Sequence, residues 1–294
     1  MSDIPPGFNL LPRKAWAAIG RGRAPAGASP PPDSPVGEAE WREVYVPLAH
    51  VVGIHLDDRV ALRRRLAATG LPAADGALMI GLAGSVAGGK STAAAALAAL
   101  LRARPDRPTV KVVSTDGFLL PNATLAARDL VAKKGHPESY DAGLITQTLG
   151  ALASGASSVS IPRYSHEVYD ISGPPQVLKR PDVVIAEGIN ALGTPIADYC
   201  AIRIYFDAAE ADLRAWYVDR FLTLIDAARA DPSSFFAQWT GLSPTDARTL
   251  AESVWEHVNL PNLTDHILPT RWRADLVLTK NGSHSVTSVA VRSR

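Results

Sequence analysis

The stretch Gly84-Ser85-Val86-Ala87-Gly88-Gly89-Lys90-Ser91 constrains the fold more than any other part of the chain. The apolar run before it, Leu78-Met79-Ile80-Gly81-Leu82-Ala83, suits a buried strand, and the Ala- and Leu-rich run after it, Ser91 to Leu101, suits a helix. Strand, glycine-rich turn and helix, in that order, form the context in which G-x-x-x-x-G-K-S binds phosphate. Glycines let backbone N–H groups turn inward and approach phosphate oxygens where a Cβ would obstruct. The following helix points its positive end at the same oxygens. The whole stretch is therefore the candidate nucleotide-binding loop. Lys90 is placed to reach the β- and γ-phosphates, and the Ser91 hydroxyl to ligate Mg²⁺.

Further apolar runs extend this start into an α/β fold. Thr109 to Ser114 leads into Asp116, Asp182 to Ala186 into Glu187, Ala201 to Phe206 into Asp207, and Ala274 to Thr279 into Lys280. The expected fold is a mostly parallel sheet of the P-loop NTPase type, flanked by helices, with long substrate-binding connections. Ser285 to Val291 alternates loosely and reads as an edge hairpin partner. Apolar residues at helical spacing from Trp41 to Ala68 predict helices packed on the sheet's flank. Residues 1–40 are rich in Pro, Gly and Ala and read as a largely flexible arm, with Pro12 to Ile19 as a short docked segment. Residues 41–294 then form a single kinase domain.

Composition excludes several functions. A net charge of +1 provides no broad field for nucleic acid or membrane. One cysteine, Cys200, rules out an internal disulfide and a cysteine metal cluster. No apolar run approaches membrane-spanning length and no signal peptide is evident, so a cytoplasmic protein is expected.

In parallel α/β sheets ligands bind at the carboxyl ends of strands, where Asp116 and Glu187 stand. Phosphoryl transfer needs a metal, an acceptor held in line and charge stabilisation. Asp116 opens a long polar connection and is the candidate base. Glu187 ends an apolar strand and is the candidate metal ligand beside Ser91. The competing reading is that each acid caps the turn after its strand. Arg220 interrupts the apolar stripe of Leu213, Tyr217, Phe221 and Leu224, and either reaches the transferring phosphoryl group or snorkels to solvent. Tyr164 and His166 offer donors to a small polar acceptor. His136, His257 and His266 show no metal-like spacing, so Mg²⁺ is the only metal expected.

Longer stretches carry a family resemblance. Gly84 to Thr92, Ser114-Thr115-Asp116-Gly117-Phe118, Lys134-Gly135-His136-Pro137-Glu138-Ser139-Tyr140-Asp141, Tyr164-Ser165-His166, Glu187-Gly188-Ile189-Asn190, Trp216-Tyr217-Val218-Asp219-Arg220-Phe221 and Ile267-Leu268-Pro269-Thr270-Arg271 resemble the bacterial type I pantothenate kinases. The resemblance implies transfer of the ATP γ-phosphoryl to the primary hydroxyl of pantothenate, the first step toward coenzyme A. It implies Lys90, Ser91 and Thr92 on phosphate and Mg²⁺, Asp116 as base, and Arg220 near the transferring phosphate. It further implies Tyr164, His166, Tyr217 and Asn259 around pantothenate, and His284 near the adenine. A homodimer and inhibition by coenzyme A at the ATP site are also implied. Ala95, however, stands where better-known members carry an arginine that grips the inhibitor's phosphates, so weaker feedback is expected. Gly88 replaces the family's usual valine, residues 192–201 form a shortened connection, and Leu224 replaces a pocket aromatic of some members. The shortened connection and Leu224 keep open a kinase for another small alcohol such as uridine or glycerate; a nucleotide-binding regulator without catalysis is a third reading, against which intact Lys90, Ser91, Asp116 and Arg220 speak.

Overall fold

The computed structural model describes residues 6–72 and 76–293. A seven-stranded sheet forms the centre. Its strands are β1 (Phe8–Pro12), β2 (Leu78–Gly84), β3 (Val110–Ser114), β4 (Val183–Glu187), β5 (Ile202–Asp207), β6 (Leu276–Lys280) and β7 (Val286–Arg292). The spatial order is β1-β7-β6-β5-β2-β4-β3. The five strands from β3 to β6 run parallel, and β7 and β1 are antiparallel additions at one side. The central strands β2 and β4 are buried along their whole length, which is why they read as continuous apolar runs.

Alternate residues serve opposite faces. Ile80, Leu82, Ile185, Ile204 and Leu278 face a core shared with helices α1 (Arg13–Ile19), α2 (Val46–Ala68) and α3 (Lys90–Arg102). On the other face, Met79, Val184 and Ala186 pack with α4 (Ala142–Ser154). Tyr205 and Val277 pack there with Leu213 and Trp216 of α5 (Glu210–Ala228). Helix α6 (Pro244–Val254) starts as its sequence requires, with Ser243 Oγ accepting the Asp246 N–H. It continues into wide π turns at Trp255–Asn259 and Leu263–Ile267. The connection after β3 carries two short antiparallel ladders, Val159–Ile161 with Gln176–Leu178 and Tyr164–Ser165 with Asp170–Ile171.

Two expectations need correction. Pro12 to Ile19 docks as expected, but the docked part begins earlier, at Phe8: β1 completes a ladder with β7, and α1 buries Trp16, whose indole N–H donates to the Val44 carbonyl at 3.1 Å. Arg13 adds ion pairs to Glu40 and Glu43, each at 2.6 Å. The composition of residues 1–40 concealed these contacts because their partners lie elsewhere in the chain. Second, β7 pairs with β6 as a hairpin but is not the sheet edge, because β1 covers it. Trp16→Ala should therefore lower stability by about 3–5 kcal/mol in urea unfolding, the cost of emptying a large buried aromatic site. A loss below about 1 kcal/mol would show that α1 is not part of the core.

Candidate active site

The sheet order sets three functional strand ends side by side. Glu187 of β4 lies opposite Leu82 of β2 on one side and Ser114 of β3 on the other. The glycine-rich loop therefore emerges on one flank of Glu187 and Asp116 on the other. Close approach requires glycine at two of these ends. Gly84 has φ 151°, and a Cβ there would lie 2.6 Å from the Phe206 carbonyl oxygen. Gly188 has φ 156°, and a Cβ there would lie 1.8 Å from Thr115 Oγ1.

Within the loop Lys90 is buried and donates to the Ser85 carbonyl at 2.7 Å. Burial lowers its pKa, opposed by Glu187 and Asp116 and reinforced by Arg220. Ser91 Oγ donates to Glu187 Oε1 at 3.2 Å. Burial raises the Glu187 pKa, Lys90 and the Ser91 hydroxyl oppose it, and the nearby Asp116 adds to it. Lys280, at the end of β6, donates to the Gly88 carbonyl at 2.9 Å. Sequence reasoning placed Lys280 at a strand end but gave it no role, since its loop contact spans most of the chain.

Neither acid caps the turn after its strand. The turn Thr115–Phe118 is capped by Ser114, whose Oγ accepts the Asp116 N–H at 3.3 Å, leaving the Asp116 carboxylate to the site. Asp116 acts electrostatically on Lys90, Glu187, Tyr140, Tyr164, Tyr169 and His166. Its Oδ2 is 4.0 Å from His166 Nε2. His166 in turn packs edge-on to Tyr164 with ring centres 5.2 Å apart. Burial lowers the His166 pKa and Asp116 opposes this, while Arg220, Lys90 and Lys134 add to it.

Around these groups lies an aromatic wall. Tyr164 meets Tyr169, which stacks on Phe235 at 4.5 Å. Lys134 sits 4.4 Å from the Tyr169 ring centre and 5.0 Å from that of Tyr164, with its ammonium on Asn122 Oδ1 at 2.6 Å. The neighbouring Lys133 is exposed and pairs with Glu138 at 2.9 Å. Burial pushes the Tyr217 phenol up to about 12, opposed by the neighbouring Asn259 amide. Leu224 stands behind, against the cluster of Phe221, Ile225 and Phe236. Asp207, at the end of β5, is taken by Arg271 at 2.7 Å and serves structure.

A cavity of about 790 Å³ runs from Ala87, Gly89, Lys90, Ser91 and Thr92 past Arg220 to Trp216 and His284. Trp216 stacks on His284 with ring centres 3.8 Å apart, so this tryptophan is part of a cavity wall rather than scattered packing. Pro35, Val36 and Glu40 close the same cavity from the N-terminal segment. The structure thus gathers the predicted residues in two groups, loop with His284 and Asp116 with the tyrosines, with Lys90, Glu187 and Arg220 between.

The donor set fits Mg²⁺ and phosphate. Ser91 and Glu187 present hard oxygen ligands side by side. Among the described residues the buried hydroxyls of Ser85, Thr115 and Tyr140 have no hydrogen-bond partner, and all three lie in segments forming the site.

Sheet order, loop and strand-end acids define a P-loop kinase. Residues 79–220 match the model of the phosphoribulokinase/uridine kinase family. Beyond that class, the chain belongs to the pantothenate kinase family. It is 44% identical over 262 residues to a pantothenate kinase of Sorangium cellulosum (strain So ce56), covering 86% of this chain and 85% of that one. It is 41% identical over 274 residues to one of Chelativorans sp. (strain BNC1), covering 88% and 86%. A solved D-glycerate 3-kinase from Cryptococcus neoformans shares the fold, with a TM-score of 0.53 at 13% identity over 82% of this chain and 98% of that one. Among the described residues no helix is long and apolar enough to cross a membrane.

Lys280 yields a pH test. Burial pulls its pKa from the ordinary 10.5 to about 8, with Glu40 opposing and Lys90 adding to the shift. Between these two values the unfolded chain holds more protons on this group than the folded one, so its contribution makes stability rise with pH. Lys280→Met should remove that rise, up to about 3 kcal/mol across the interval, in urea unfolding at stepped pH. An unchanged profile would show that the ammonium is not desolvated.

Proposed function

We propose that this chain transfers the γ-phosphoryl group of ATP to the primary hydroxyl of pantothenate, giving 4'-phosphopantothenate in the first step toward coenzyme A. The reading rests on one juxtaposition. The Asp116 carboxylate is close enough to act on Lys90 of the phosphate loop and on the cluster of Tyr164, His166 and Tyr169.

In this reading the loop N–H groups and the Lys90 ammonium hold the β- and γ-phosphates. Asp116 accepts the proton of the pantothenate hydroxyl as its oxygen bonds to Pγ and the bond from Pγ to the ADP oxygen breaks. Arg220 reaches the transferring group from α5 and offsets its charge. Ser91 and Glu187 would hold Mg²⁺, which supplies Lewis-acid charge neutralisation on the phosphates. His166 and Tyr164 orient the acceptor, and Tyr217 with Asn259 forms a second polar pair for it. His284, stacked on Trp216, offers a flat face to the adenine. Residues 41–294 are the kinase domain in this account, with β1 and α1 built onto it. Cytoplasmic residence, homodimer formation and inhibition by coenzyme A are further parts of the reading, supported by membership of the family.

Asp116→Ala should lower kcat with pantothenate by about 10²–10⁴-fold while leaving ATP affinity nearly unchanged, measured by coupled ADP release and by calorimetry. Turnover of uridine or glycerate, with none of pantothenate, would defeat the reading in favour of a sibling kinase. Tight ATP binding without turnover of any acceptor would favour a regulator.

Ala95 is exposed on the first turns of α3, close to the loop. Ala95→Arg should lower the inhibition constant of coenzyme A, because a guanidinium binds phosphate bidentately. An unchanged constant would separate this position from any inhibitor phosphate.

A further inference from the structure

Three metal-binding side chains come together away from the phosphate loop. One ligand atom each from His136, Glu138 and His266 lies within 4.8 Å of the other two. The imidazoles of His136 and His266 meet edge-on, with ring centres 5.2 Å apart and planes at 67°. His136 and Glu138 belong to the short turn after Lys134, and His266 to the π turn Leu263–Ile267. No sequence spacing could reveal the set, because its two halves are more than a hundred residues apart.

The surroundings suit a metal ligand. Asn262 Nδ2 donates to the Gly135 carbonyl at 3.1 Å, holding the same two segments in register. The competing partner is weak: Lys133 takes Glu138 Oε1 at 2.9 Å in an exposed pair and leaves the second carboxylate oxygen open. A tetrahedral ion with bonds near 2.0–2.1 Å sets its ligands about 3.4 Å apart, so binding draws the three groups closer together, and the exposed Glu138 side chain can rotate to meet the two imidazoles.

We infer that His136, Glu138 and His266 bind one divalent transition-metal ion of the Zn²⁺ type, leaving a fourth position for water. Two imidazoles and one carboxylate favour Zn²⁺, Co²⁺ or Ni²⁺ over Mg²⁺, which prefers oxygen ligands throughout. The ion would staple the Lys134–Asp141 connection to the helical segment that carries Asn259. The site does not depend on the acceptor being pantothenate, and its test uses neither nucleotide nor acceptor.

Tag-free, metal-free full-length protein in excess Mg²⁺ should take up one equivalent of Zn²⁺ in calorimetry. Its unfolding temperature should rise with Zn²⁺. His266→Asn and Glu138→Gln should each weaken binding by about tenfold or more. Co²⁺ in place of Zn²⁺ should give the visible absorption of a four-coordinate ion in the parent, and that band should be lost in His266→Asn. Unfolding in chelator should be alike for parent and variants, which separates lost ligation from lost folding. Should His266→Asn fail to fold, the surface change Glu138→Gln carries the test alone. Absence of Zn²⁺ uptake, or uptake with the same affinity in the folded variants, overturns the inference.

Discussion

A buried ammonium is costly unless its surroundings answer it, and Lys90 is such an ammonium. The loop answers with a carbonyl from Ser85, and β4 answers with the Glu187 carboxylate. Burial disfavours the charged form of both lysine and acid, so each needs the other. Phosphate oxygens and a divalent cation would complete the set with the opposite charges. The loop conformation, the strand order and the helix behind the loop all serve to hold this lysine where water is scarce.

Strand register does the remaining positioning. Because β4 lies between β2 and β3, its terminal acid is flanked by the loop on one side and Asp116 on the other. Gly188 lets the end of β4 approach Thr115 after β3, and Gly84 lets the loop approach Phe206 of β5, more closely than a side chain would permit. The rigid sheet carries the reacting groups, while the long connections carry Tyr164, His166 and Lys134. In the proposed reading, parts that perform common chemistry are thus separated from parts that choose the acceptor.

How much of this was legible depended on where each partner lies. The loop, β2 to β6 and the strand-end acids were readable because period, β-branching and glycine spacing are local signals. The Ser243 cap was readable for the same reason. β1 was not, because five residues of a Pro- and Gly-rich segment become a strand only when β7 supplies the hydrogen bonds. Lys280 against Gly88, Lys134 against Tyr169, Trp216 against His284 and His136 against His266 are likewise contacts across long separations. Asp116 and Glu187 each had a capping alternative, and only the observed Ser114 cap and Ser91 hydrogen bond decide against it. The roles of Arg220 and Asn259 came from resemblance, since one arginine in a helix face or one asparagine after it is ambiguous by itself.

The ladder between β1 and β7 joins Phe8 to Arg292. A ribosome emits the first of these residues long before the last. Until β7 emerges β1 has no partner, and Arg13, which also donates to the Val286 carbonyl at 3.2 Å, has only part of its anchorage. The wall of the nucleotide cavity formed by Pro35, Val36 and Glu40 shares that delay, because Glu40 Oε1 accepts the Val286 N–H at 3.0 Å. A nascent chain therefore holds its phosphate loop between formed strands while one side of the nucleotide cavity is still open, and that side closes only after β7 has emerged.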